Sequence, residues 1–401
     1  MKTDTNVTHP YTHLQMSISG KTAIAGLGVT AFGKLPGRSA WSLQTEAVKR
    51  ALDDAGLEKE DVDGLLTAPP LSEPLLLHAE QLGRKLGLKA NYLSQKFIGG
   101  ATALALVAEA AMAIDAGLCE VAVCVYGENA KTGMPMLFGR AQMGRGQAPS
   151  DDIAYGLAGG PIMEARAARR YMNEYGVTEE MLGSVAVSFR EHASRNPAAT
   201  YRDPLTIEQY LQNRYVSEPL RVLDCTIGAS DGAVAVVVTS AARARDLAKP
   251  PAYIAGAGVA ANLQGLSDPD HYTSYPGARS SQTAYRMAGL EPTDVDVAQF
   301  YDCFTSTVLI TIEDYGFCKR GDAGHFALEG NLNLGGQLPS NTSGGMLSEA
   351  NLVGWNVLAE GIRQIRGEST SQVDDAEVCI VAGQGGFHAA HSTVLLTKET
   401  R

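Results

Sequence analysis

The sequence predicts an α/β protein of two similar halves, each a mixed sheet covered by helices, with one segment inserted between them. Three observations support this. An apolar strand running into glycines occurs twice, as Ile24-Ala25-Gly26-Leu27-Gly28-Val29 and as Ile254-Ala255-Gly256-Ala257-Gly258-Val259. Each copy leads into a helix with the same ending: Ala55-Gly56-Leu57-Glu58 before Asp61-Val62-Asp63, and Ala288-Gly289-Leu290-Glu291 before Asp294-Val295-Asp296. A glycine pair, Gly99-Gly100 or Gly344-Gly345, then opens a helical run that is followed by an apolar strand.

In the first half the opening strand is followed by a helix that ends at Gly56, where a C-cap needs a left-handed residue, and the acidic segment leads into the next strand. The Ala-rich helix after Gly99-Gly100 runs to Gly117 and is followed by the strand Val121 to Tyr126. The second half repeats this order, with a helical run from Gly344-Gly345 to Ile365 and a strand from Val378 to Ala382. Strand–helix–strand–helix–strand in each half implies mixed sheets sandwiched by helices. Gly127 to Leu220 has no counterpart: glycine-rich and Met-rich stretches alternate with helices at Pro161 to Tyr175 and Glu179 to Arg195. It reads as a loop domain placed to cover a site. The expected organisation is a loose extension over 1–18, an N-terminal half from 19–126 and 221–248, the loop domain 127–220, and a C-terminal half 249–401.

Composition excludes several classes. Hydrophobic residues make up 45% of the 401 and charged residues 19%, which supplies a core and argues against global disorder. Lys plus Arg total 33 against 44 Asp plus Glu, a net charge of -11 with no basic cluster, so nucleic acid is not an expected partner. A locally basic pocket for a phosphorylated cofactor stays open. The six cysteines, Cys119, Cys124, Cys225, Cys303, Cys318 and Cys379, are scattered. Cys119 and Cys124 come nearest to a metal spacing but lack a second pair, so free thiols and no bound metal are expected. Met1 to Ser17 is polar and lacks the apolar core of a signal peptide. The most apolar stretch, Gly99 to Leu118, carries Glu109 and Asp115, which speaks against a membrane span. The expectation is a soluble, cytoplasmic protein.

Three segments carry a family resemblance. Ser230-Asp231-Gly232-Ala233 precedes an apolar strand, Tyr301-Asp302-Cys303-Phe304-Thr305 follows one, and Asn341-Thr342-Ser343-Gly344-Gly345 precedes the last helical run. They resemble the SDGA, HDCF and NPSGG segments of the thiolase superfamily, the latter two in its sterol-carrier-type members. The resemblance implies a thiolase fold, a duplicated five-layered α/β/α/β/α arrangement with an inserted loop domain. It also exposes departures. The nucleophile segment reads Ser94-Gln95-Lys96-Phe97-Ile98-Gly99-Gly100, the nucleophile position falls on Phe97, and no Cys or Ser lies from Gln95 to Gly100. The HDCF histidine is Tyr301, and the histidine of the S-x-G-H-P segment falls on Asn351. The C-terminal catalytic segment falls on Ala382-Gly383, although a shifted alignment places Cys379 there.

This combination is similar to the thiolase-like lipid-transfer-protein aldolases of steroid side-chain degradation, which also have Tyr-Asp for His-Asp. Runs like Leu338 through Glu349 and Ala359 through Gly367 occur in that family. There, a tyrosine matching Tyr301 is the proposed base or proton shuttle, and a second tyrosine stands where this chain has Asn351. A two-tyrosine mechanism therefore does not carry over intact.

Each candidate has a bland alternative. Tyr301 is catalytic or simply a half-buried tyrosine; with an ordinary pKa near 10, a basic role needs a neighbouring donor or a relay. Asp302 holds backbone amides at a turn or takes protons. Asn351 donates to the thioester oxygen or is merely a helix residue. His388 and His391, in Gly386-Phe387-His388-Ala389-Ala390-His391, have a spacing that suits metal ligands but no third ligand; both are structural, or His388 is a proton donor. Gly344, Gly345, Gly385 and Gly386 line an oxyanion hole for a CoA thioester, or serve tight turns.

Claisen chemistry needs a thiolate because one product leaves as an acyl group. Retro-aldol cleavage of a β-hydroxyacyl-CoA does not, since that product leaves as a free ketone or aldehyde. It needs a base, an oxyanion hole and an acid. The leading expectation is therefore a carbon–carbon lyase acting on a β-hydroxyacyl-CoA with a bulky, steroid-type side chain. A Claisen-type acyltransferase with another nucleophile and a non-catalytic acyl-CoA-binding subunit are the alternatives. The CoA thioester would be substrate, with no resident cofactor. The resemblance further implies a homodimer through Ala90 to Gln95 and a separate small OB-fold, zinc-containing partner, giving an α2β2 assembly; a self-sufficient homodimer is the alternative.

Overall fold

The computed structural model describes residues 17–133, 159–262 and 272–400. Nearly all of the expected N-terminal extension and the Met-rich part of the insertion lie outside the described residues. The strands are β1 (Thr22–Val29), β2 (Gly64–Thr67), β3 (Tyr92–Gln95), β4 (Val121–Glu128), β5 (Tyr215–Ser217), β6 (Leu220–Arg221), β7 (Gly232–Ser240), β8 (Ala252–Ala261), β9 (Val297–Gln299), β10 (Val378–Gly385) and β11 (Ala390–Thr397). Nine of them form one sheet in the order β3-β2-β4-β7-β1-β8-β11-β10-β9, and β5 pairs with β6.

That order is a duplication read outward from its centre. β2 runs parallel to β4 and to β3, while β4–β7 and β7–β1 are antiparallel. On the other side β9 runs parallel to β10, while β10–β11 and β11–β8 are antiparallel. A lone parallel bridge, Ala298 to Ser340, stands where β3 stands in the first half. The two half-sheets touch through the short pairing Ala23–Tyr253 and Ile24–Ala252.

The repeated glycines have a packing cause. The helix α1 (Ala40–Ala55) lies directly on β1, and a Cβ at Gly28 would sit 2.0 Å from the Ala47 carbonyl oxygen. In the second half, a Cβ at Gly258 would sit 2.0 Å from the Ser280 carbonyl oxygen of the corresponding helix, Gly277–Ala288. Only glycine lets a helix approach a strand this closely. Both helices end on a left-handed glycine, Gly56 at φ 70° and Gly289 at φ 66°.

Three buried clusters define the layers. The central one joins α2 (Thr102–Asp115) and the helix Trp355–Arg366 to the inner faces of both half-sheets. An outer cluster packs α1 on the first half-sheet. The other outer cluster packs Gly277–Ala288 and the helix Thr305–Asp314 on the second. Helix, half-sheet, helix, half-sheet, helix is the five-layered arrangement. The inserted helices α3 (Gly160–Tyr175) and α4 (Glu179–Arg195) match the expected spans closely. They bury Tyr171, Leu182 and Phe189 against Phe300 and Leu309 of the second half, so they share its core.

One expectation needs correction. Gly344-Gly345 opens a single helical turn, Gly345–Ser348, and the buried helix of the second half starts only after Gly354. Between them, Val353 at φ 52° and Gly354 at φ 85° are left-handed and cannot continue a helix. Asn351 therefore lies in a break between helices, not within one. The cysteines are all free, with Cys119, Cys124 and Cys379 buried and the other three half-buried. Among the described residues no helix is long and apolar enough to cross a membrane.

Candidate active site

The ends of the strands and the break before Trp355–Arg366 surround a cavity of about 470 Å³. Phe97, Gly99 and Gly100 form one wall, Tyr301, Cys303 and Phe304 another, and Asn351 and Val353 a third. Gln384 and Gly385 come from the end of β10, Gly386, Phe387 and His388 from the turn after it, and Gly160, Pro161 and Glu164 from the start of α3. Of the residues singled out in the sequence, the structure brings together Tyr301, Asn351, His388, Gly385 and Gly386.

Glycines make this convergence possible. A Cβ at Gly385 would lie 1.8 Å from the Ile98 carbonyl oxygen, so the end of β10 rests directly on the segment that in thiolases carries the nucleophile. The Tyr301 ring lies in a slot between two glycines: a Cβ at Gly100 would sit 2.0 Å from its Cε2, and one at Gly354 would sit 3.0 Å from its Cδ2. Burial, with lesser contributions from Cys303 and Asp302, raises the Tyr301 phenol above its usual range. The hydroxyl is thus kept protonated, as a donor.

Asp302 stands behind Tyr301, fully buried. Its carboxyl oxygens accept from the Met346 N–H at 2.8 Å and the Leu347 N–H at 3.0 Å. Burial pushes its pKa up to about 7, against the opposing pull of those amides. It holds the turn that carries Met346 to the cavity wall. Gly344 and Gly345 are not on that wall. A Cβ at Gly344 would lie 2.5 Å from the Ala193 Cβ, and one at Gly345 would lie 2.3 Å from Asp302 Oδ2. Close packing and φ values of 102° and 59° require glycine at both positions. Asn351 Nδ2 donates to the Ile227 carbonyl at 3.1 Å, which leaves its second hydrogen for a ligand.

No thiol is poised for attack. Cys379 lies inside β10, fully buried and away from the cavity, with its thiol pushed well up by desolvation. This removes the shifted alignment. Sequence reasoning missed Cys225 and Cys303, which do line the cavity. Burial pushes Cys225 up to about 12 and Cys303 well above its ordinary value, so both favour the inert thiol over the thiolate.

It also missed Glu164. This residue is 1% exposed, on a helix stripe otherwise made of Gly160, Ala168 and Tyr171. A carboxylate on an apolar stripe was the available signal. Glu164 Oε2 lies 2.5 Å from His388 Nε2, and the Tyr275 ring stacks on the imidazole at 3.9 Å. His391, by contrast, lies against Tyr315, and burial drops its pKa to about 3. Among the described residues no group of three or more His, Cys, Asp or Glu is arranged to hold a metal ion.

Fold and site together define a thiolase-type protein whose nucleophile is absent. Residues 258–398 match the family described as thiolase C-terminal domain-like. The chain is 42% identical over 391 residues to a steroid side-chain-cleaving aldolase of Thermomonospora curvata, covering 92% of this chain and 96% of the relative. It is 41% identical over 388 residues to the 17-hydroxy-3-oxo-4-pregnene-20-carboxyl-CoA lyase of Mycobacterium tuberculosis, covering 92% of this chain and 97% of that one. A solved Ltp2-ChsH2(DUF35) aldolase superposes with a TM-score of 0.86 at 39% identity, over 95% of this chain and 98% of that one. Human mitochondrial 3-ketoacyl-CoA thiolase shares the fold alone, with a TM-score of 0.69 at 15% identity, over 94% of this chain and 98% of that one. The chain belongs to the thiolase superfamily and, within it, to the thiolase-like aldolases, which are carbon–carbon lyases.

Proposed function

We propose that the protein cleaves a β-hydroxyacyl-CoA carrying a bulky, steroid-type side chain into a ketone and a shorter acyl-CoA, through a thioester enolate. The observation that carries this reading is the replacement at the heart of the cavity. Phe97 occupies the nucleophile segment, while a protonated phenol, Tyr301, lies opposite in a glycine slot. Such a site has an acid and no acyl carrier, which suits retro-aldol cleavage and not Claisen transfer. Tyr301 would protonate the enolate carbon. The free N–H of Asn351 and the glycine turn at Gly385-Gly386 are the groups available to the thioester oxygen, and CoA enters as substrate with no resident cofactor. The apolar wall of Phe97, Phe304, Met346 and Phe387 suits a bulky hydrocarbon. The two relatives named for steroid side-chain cleavage and for a pregnene-carboxyl-CoA support that choice.

The same reading includes assembly. β3 is an edge strand, and its exposed Leu93 lies in the same first-half region as an exposed run, Leu75, Leu76 and Leu77, of which Leu76 is 94% exposed. These residues support a homodimer through Ala90 to Gln95. The solved aldolase named as an Ltp2-ChsH2(DUF35) pair supports a separate partner subunit of the DUF35 type; the OB fold and zinc of that partner and the α2β2 assembly are part of the proposal. The test is to supply the purified chain, alone and with such a partner, with a steroid β-hydroxyacyl-CoA. Release of free ketone and shorter acyl-CoA in equal amounts is expected. CoA-dependent acyl transfer without ketone would refute the reading.

A further inference from the structure

Resting on the retro-aldol reading, we propose that Glu164 is a positioning residue that fixes His388 as the base for the β-hydroxyl proton. Glu164 is a buried acid on the cavity wall, held through one carboxyl oxygen and facing the imidazole with the other. Its Oε1 accepts from Ser306 Oγ at 2.7 Å and from Thr307 Oγ1 at 3.3 Å, both in the first turn of Thr305–Asp314. With Glu164 as the carboxylate, Oε2 takes the Nε2–H of His388 at 2.5 Å. Gln384 Nε2, 3.4 Å from the same nitrogen, is too distant to compete.

A hydrogen on Nε2 leaves the lone pair of a neutral imidazole on Nδ1. That atom has no hydrogen-bond partner, on a residue that is 3% exposed and lines the cavity. Tyr275 lies flat against the ring, with 3° between the planes, which holds its orientation. The backbone is also committed. Phe387 at φ 50° and His388 at φ 69° are left-handed, a conformation that side chains other than glycine adopt at a cost and that the surrounding structure must hold. A base, a carboxylate that sets its tautomer and an unoccupied nitrogen reproduce the logic of a catalytic dyad.

The reaction balances without a co-reactant. Nδ1 takes the β-hydroxyl proton, the O–H electron pair becomes the second bond of the ketone carbonyl, and the Cα–Cβ bond breaks. Its electrons pass to the thioester as an enolate. The Tyr301 phenol protonates Cα and recovers a proton from the imidazolium, so the net change is one proton moved from oxygen to carbon.

The test combines nitrogen NMR of the histidine rings in the full chain, with His388 assigned through His388→Gln, and the kinetics of Glu164→Gln. Wild-type His388 should carry its proton on Nε2. In Glu164→Gln, whose amide can donate to Nε2, the proton should move to Nδ1. The kcat should then fall at least about 100-fold while KM stays within about threefold. A wild-type His388 protonated on Nδ1, or a folded Glu164→Gln retaining kcat within a few-fold, overturns the proposal. Should the wild-type chain release no ketone, the lyase reading fails, while the wild-type tautomer still decides the pair on its own.

Discussion

Gly100→Ala should disable the enzyme through a side chain it does not itself carry. A Cβ there would sit 2.0 Å from Tyr301 Cε2, 2.2 Å from Cζ and 2.3 Å from the Gln384 carbonyl oxygen. Carbon atoms rest at about 3.5 Å or more, so the ring must retreat by roughly 1.5 Å. Gly354 closes the opposite side of the slot, which blocks a simple slide. Overpacking of this kind costs about 1–3 kcal/mol of stability, and a misplacement of about 1 Å at a reacting group costs on the order of 100-fold in rate. The assay is ketone release under saturating substrate, beside a thermal melt to confirm folding. In a double variant with Tyr301→Phe the two rate losses should not add, because both act through one hydroxyl. A folded Gly100→Ala enzyme with kcat within a few-fold of wild type would refute the slot argument.

Three further outcomes are expected. Tyr301→Phe keeps the ring in its slot and removes only the hydroxyl, so turnover should fall at least about 100-fold with little change in melting temperature or CoA affinity, checked by steady-state kinetics and calorimetry. Glu349 is buried and its carboxyl is pushed from 4.5 up to about 7 by desolvation. The folded protein therefore holds this proton more tightly than the unfolded chain, and its contribution to stability falls as pH rises from about 4.5 to about 7. Denaturant melts across that range should show Glu349→Gln gaining on the wild type as pH rises. Gly83 lies in the helix His78–Leu86, where a Cβ would make an ordinary 3.4 Å contact with Leu65 Cδ2. Gly83→Ala should raise stability by about 0.5–1 kcal/mol and leave turnover unchanged, measured by the same melts and assay.

Much of the fold was legible because it rests on local chemistry repeated in order. The Gly-x-Gly strands, the glycine C-caps and the acidic turns each report a short-range requirement, so the duplicated architecture and the helices α3 and α4 could be read directly. The helix break at Val353-Gly354 was less visible: valine rarely adopts a left-handed conformation, and nothing in its neighbours signals one. The site was legible where a residue sits in a recognisable segment, as Tyr301, Asn351 and His388 do. It was not legible where two distant segments meet. Glu164 and His388 are 224 residues apart, and their contact depends on how α3 lies across the turn after β10. The role of Gly344 and Gly345 was not legible either, since glycines needed for packing against Ala193 and Asp302 look the same in sequence as glycines that open a backbone to a ligand.

The central claim, cleavage through an enolate with no acyl-enzyme, is tested most directly by rapid-quench intact-mass spectrometry during a single turnover in heavy water. The account predicts ketone and shorter acyl-CoA appearing together, one deuterium on the α-carbon of the acyl-CoA, and no mass added to the protein at any time. A transient acyl mass on Cys225, Cys303 or any other thiol would contradict it.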